Sequence, residues 1–172
     1  MNQTTAPEPR ILKIGNCQSL SGRTGITYHL GVRDTNDICF RIWDTSGKGV
    51  FSKEWVCASA IQKVLGQNAL LAAPTLLPVF TIGRSVNTAG FLLAVLKHEG
   101  LVALSEDEPH KYVRVQSDKF VAETAALIKS GASLDPVADA PATEKAGKKG
   151  KRKADAAPWD ASAQPHGEAA AE

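Results

Sequence analysis

From Ile11 onward the chain alternates between apolar and polar positions. "ILKI" (11–14) is apolar at three of its four positions, and "ITYHLGV" places Ile26, Tyr28, Leu30 and Val32 at period two. "ICFRIWD" sets Ile38, Phe40 and Ile42 on one face and Cys39, Arg41 and Trp43 on the other. Period two is the mark of a strand. Asp34, Asn36 and Asp37 between the last two segments favour a turn, so the pair predicts a hairpin to which 11–14 adds a third strand. One face of this layer is apolar enough to seat helices. The other, with His29, Arg41 and Trp43, mixes aromatic and basic groups; such a face can hold single-stranded nucleic acid or a partner, but such residues are more often solvent-facing cross-strand pairs, which is the expectation here.

Past "TSGKG" the spacing becomes helical. Ser52 is placed to cap a helix over 53–65 that buries Val56, Ile61, Val64 and Leu65, with Phe51 and Val56 at the spacing of a hydrophobic staple and Gly66 as its stop. Pro74 and Pro78 break the next apolar run and predict a short helix over 75–80 with Pro78 in its first turn. Asn87 or Thr88 caps the following helix, in which Phe91, Leu92, Val95 and Leu96 recur at helical spacing until Gly100. A short apolar strand, a charged turn through Asp107 and Pro109, and a strand with Tyr112, Val113 and Val115 come next. The last helix, from Ser117 to Gly131, buries Phe120, Leu127 and Ile128. The expected fold is therefore α+β, an N-terminal antiparallel β-hairpin or meander followed by a helical module. Residues 1–10 are read as a flexible N-terminus, 11–50 as the strand layer and 51–131 as the module packed on it, giving one compact domain over 11–131.

Composition changes the picture at the C-terminus. Residues 132–172 are rich in alanine, proline, lysine and acids, and they cannot bury enough apolar area to offset chain entropy, so a disordered tail is expected. Residues 1–134 carry 14 Lys+Arg against 11 Asp+Glu and the rest 6 against 7, so the net charge of +2 says little by itself. All six tail cations, however, fall in "KAGKKGKRK": Lys145, Lys148, Lys149, Lys151, Arg152 and Lys153. A run of that kind attracts a polyanion by counterion release, or serves only to solubilise.

Cys17, Cys39 and Cys57 are odd in number and widely spaced, which argues against a disulfide framework and against zinc. The four histidines show no ligand spacing, and no metal or other cofactor is implied. The N-terminus lacks a secretory pattern and no apolar stretch is long enough for a bilayer. The expected setting is cytoplasmic, with reduced thiols and no membrane partner.

"GNCQSLSGRTG" (15–25) has the look of a phosphate-binding loop, but six residues rather than four separate Gly15 from Gly22, and Arg23 stands where the lysine should be. A strand follows it instead of a helix. Asn16 to Gly25 is read as a loop between two strands, with Gly22 and Gly25 at positive φ and an exposed Arg23 that could meet a backbone phosphate. No nucleophile is marked elsewhere, and His29 with Asp34 or His98 with Glu99 lack the geometry of an acid–base pair. The expectation is a protein that is not an enzyme.

The succession short helix, turn, longer helix ending "LKHEGLV", then the "ALSEDEPHKYVRV" ribbon over residues 75–115 resembles the winged helix-turn-helix superfamily. That resemblance implies a recognition helix in the DNA major groove, with Arg84, Ser85, Asn87 and Thr88 at its start, Lys97 on its outer side, and Lys111 and Arg114 on the wing facing phosphates. The function so implied is nucleic-acid-binding regulation, DNA ahead of RNA; the residues outside the resemblance add the basic tail as an arm and Arg23, His29, Arg41 and Trp43 as a second face. The competing expectation is a protein-binding adaptor or inhibitor that uses the apolar helix and the Trp43 face; the aliphatic helix and the acidic "SEDEP" turn speak for it.

Overall fold

The computed structural model describes residues 7–82 and 85–137; the expected disordered tail lies outside them from 138 onward. Strands β1 (Arg10–Gln18), β2 (Gly25–Val32), β3 (Ile38–Thr45) and a two-residue β4 (Val56–Cys57) form one antiparallel sheet in sequence order. The fold is α+β as expected, with this four-stranded sheet first and the helices after it. Close turns keep successive strands adjacent. In the 19–24 turn the Ser19 amide donates to the Thr24 carbonyl, and Gly22 takes φ +70°; Gly25 does not have the positive φ expected of it and begins β2 instead. Asn36, at φ 59°, makes the second turn, a conformation asparagine tolerates better than most residues.

The alternation sorts the sheet as the sequence requires. Ile26, Tyr28, Leu30, Phe40 and Ile42 are buried together with side chains from α1 (Ala58–Gln67), the 3₁₀ helix Ala73–Val79 and α2 (Val86–His98). Burial at about 25 cal/mol per Å² of apolar surface makes this cluster the main source of stability. A two-stranded ribbon, β5 (Val102–Leu104) with β6 (Tyr112–Arg114), follows α2, and Leu71 adds a single bridge to Tyr112. Helix α3 (Asp118–Lys129) closes the described chain: the Ser117 hydroxyl accepts from the Phe120 amide, and Gly131 takes φ +71°. Phe120 is buried as expected; Leu127 and Ile128 are half-buried, and Thr124 is buried with its hydroxyl donating to the Phe120 carbonyl.

Four sequence expectations are corrected. The helix expected from 53 begins at Ala58 and runs past Gly66, because Val56 and Cys57 are drawn into β4 opposite Phe40 and Cys39. Ser52 accepts from the Glu54 amide in a local turn rather than capping a helix, and Phe51 meets Phe91 edge-on at 6.3 Å between centroids rather than stapling to Val56. Pro74, not Pro78, lies in the first turn of the 3₁₀ helix. Finally, Cys39 and Cys57 form a disulfide, which spacing along the chain hid because register alone places them opposite each other. Cys17 is free and buried; burial and the nearby Glu99 carboxylate push its thiol up to about 11, so it is an unreactive packing group.

Candidate functional site

Polar and aromatic groups converge on the sheet face opposite the helices. His29 and Arg41 face each other in the β2–β3 register, and Arg41 Nη2 lies 3.2 Å from His29 Nδ1. The guanidinium carbon sits 4.9 Å from the Trp43 ring centroid and 4.3 Å from that of Trp55. Trp43 in turn stacks on His29, with centroids 4.7 Å apart, and receives the Lys53 ammonium at 4.3 Å. These are cation–π distances, at which attraction grows as water is excluded. Glu8 completes the group: its Oε1 accepts from Arg41 Nη1 and, at 3.1 Å, from the Trp55 indole N–H. Gly31 is required beneath, since a Cβ there would stand 2.8 Å from the Trp55 ring.

This corrects the expectation of a solvent-facing set. His29 is fully buried and Arg41 only 8% exposed, because Trp55 and the segment before β1 fold over them. A guanidinium cannot accept, so His29 Nδ1 must, which assigns the proton to Nε2; that atom and Arg41 Nε are buried without a partner. Burial, followed by the charges of Arg41 and Lys53, pushes the His29 pKa down to about 4. The Trp55 hydrogen bond and the neighbouring Arg41 hold the Glu8 carboxyl below its usual range.

The segment that leaves β3 links this face to the start of α2. Ser46 exchanges hydrogen bonds with Gly25, and a Cβ on Gly47 would lie 3.2 Å from the Thr24 methyl, so the 19–24 turn and the 46–50 loop are neighbours. A Cβ on Gly49 would be 3.8 Å from Asn87 Nδ2, and the Ser52 amide donates to Thr88 Oγ1 at 3.1 Å. Exposed Arg23, Lys48 and Asn87 are thereby gathered at one end of the domain. Farther along the same segment, Lys53 reaches Trp43 on the opposite face of the sheet.

Other expected contacts are not available to a ligand. Thr88 is fully buried and cannot read a base; Ser85, not Asn87 or Thr88, is the cap of α2, its hydroxyl accepting from the Asn87 amide. Of residues 88–96 only Gly90 and Phe91 are even half-exposed, because the 3₁₀ helix and the sheet together cover the helix that a recognition role needs open. Lys97 lies about 15 Å along the helix from Asn87 and rests on the Tyr112 ring at 5.8 Å. Lys111 is exposed beside the acidic Glu106–Glu108 turn. Arg114 lines a 420 Å³ groove between α1 and α3, floored by Phe40, Ile61, Leu65 and Phe120. Arg84 and the six tail cations fall outside the described residues.

Sequence reading missed one further network. The Tyr28 hydroxyl donates to Glu99, and Lys13 binds the same carboxylate at 2.9 and 3.1 Å. Gly15 makes it possible, since a Cβ there would fall 2.4 Å from the tyrosine ring. Burial and Glu99 push the Tyr28 pKa far up, so the phenol stays a donor. Only Gly15 itself, a glycine inside a strand, could have signalled this close approach.

Among the described residues no helix is long and apolar enough to cross a membrane, and no cluster of three His, Cys, Asp or Glu could hold a metal. No family model, curated protein or solved structure matches the chain.

Proposed function

We propose that the protein is a non-enzymatic regulatory protein that binds nucleic acid, DNA foremost, with a single strand laid along the Trp43–Lys53 surface toward the end that carries Arg23, Lys48 and Asn87. The observation that carries this reading is the half-exposed Trp43, backed by His29 and Arg41 and topped by an exposed lysine. An aromatic platform flanked by cations is how strands are held without base reading, by stacking and phosphate attraction. The order helix, Leu71 bridge, 3₁₀ helix, helix and two-stranded ribbon agrees with a winged-helix-like module, but the buried α2 moves the candidate contact from the helix flank to its start and to the sheet.

Anisotropy of labelled oligothymidylate, duplex DNA and RNA at low salt tests the reading. Single strands should bind best, affinity should fall steeply with salt, and Trp43→Ala should cost about 1–3 kcal/mol. Absence of association with every polymer at low salt defeats it.

The groove between α1 and α3 favours a second reading, an adaptor that takes an apolar segment of a partner protein. Val121, which lines the groove and is 63% exposed, separates the two: Val121→Glu should abolish capture of such a partner and leave oligonucleotide binding intact.

A further inference from the structure

We propose that Arg41 and Trp55 form an oxyanion site for a phosphate group, and that Glu8 holds this site closed from within the chain. The chemistry stands on the geometry; only the source of the phosphate, a nucleic-acid backbone, rests on the reading above.

Two donors from separate elements, Arg41 Nη1 of β3 and Trp55 Nε1 of the following segment, converge on a single oxygen, Glu8 Oε1. Between two indoles the guanidinium keeps its faces covered and its edge directed at that oxygen. A planar cation presented by its edge is the standard partner of carboxylate and phosphate alike. Lys53 adds a second cation to this face, against Trp43, one of the two indoles that flank the guanidinium.

Glu8 has the properties of a removable stopper. Pro9 is buried and would touch a Cβ on Gly31, so it anchors the segment, whereas Glu8, one residue outward, has a side chain 68% exposed. Residues 7–9 belong to no helix or strand. Arg41, by contrast, is 8% exposed, and among the described residues Glu8 is the one carboxylate in ion-pair contact with it. Withdrawing Glu8 leaves a buried cation without a counter-charge, which an external oxyanion would neutralise.

The test follows the Trp55 indole N–H by NMR while inorganic phosphate, and separately oligothymidylate, is titrated into the full chain, Glu8→Ala and Glu8→Gln. Glu8→Gln keeps an acceptor on Trp55 and serves if the alanine variant fails to fold. Phosphate should shift the indole signal in the variants with affinity about ten-fold tighter than in the unaltered chain, and should raise their melting temperature more. An equal phosphate response in all three proteins, or none in any, overturns the proposal. Phosphate binding to the variants with no oligothymidylate binding to any protein upholds the site and defeats the nucleic-acid reading. Oligothymidylate binding that is the same in all three, with no phosphate response, does the reverse.

Discussion

At the scale of single residues, function and stability meet at groups whose neighbours lie far away in sequence. Gly15 opens the stretch that had the look of a phosphate-binding loop, but it sits inside β1 and makes room for Tyr28. Gly15→Ala should therefore destabilise by about 1–3 kcal/mol in urea titrations, since the ring must move and the Tyr28–Glu99 hydrogen bond goes with it. His29 sets a pH dependence. Unfolded, it titrates near 6.5; folded, near 4, so between these values the unfolded chain binds more protons. Stability should be full above about pH 6.5 and fall by about 3 kcal/mol as pH drops toward 4. Urea midpoints measured across that range check this, and His29→Gln should flatten the decline. The sequence showed that His29, Arg41 and Trp43 share a face. It did not show that they are covered, because the cover comes from Glu8 and Trp55.

At the scale of elements, alternation made β2 and β3 legible, and the Ser117 and Gly131 signals marked both ends of α3. Helix α1 was misjudged at its start because Val56, Ile61, Val64 and Leu65 recur at helical spacing, and all four are indeed buried. Pairing of Val56 with Phe40 overrides that local pattern. With only two residues, β4 depends on its cross-link to β3. Loss of the bond, which spans a sequence separation of 18, should cost about 3 kcal/mol, measured as the difference in denaturant stability between the unaltered chain and Cys57→Ser. The same edge positions Trp55, so that variant should also loosen Arg41, visible as a broadened Trp55 indole resonance.

At the scale of the whole molecule, the positive groups among the described residues do not form one patch. Arg23 and Lys48 mark the end where α2 starts, while Lys97 lies toward the other, with Arg114 on the α1–α3 groove. On the nucleic-acid reading, a chain ending at residue 137 should still fold and still bind oligothymidylate, but with a shallower salt dependence, because up to six cations are removed. Anisotropy measured over a salt series checks the slope. The last residues described come back to the first: the Leu134 amide donates to the Ile11 carbonyl at 2.9 Å, and Arg10 reaches the Ala132 carbonyl. Beginning and end of the domain are thus stitched side by side. A circular permutant, with those ends spliced by a short glycine linker and new ones opened between Leu20 and Ser21, should refold to the same circular-dichroism spectrum.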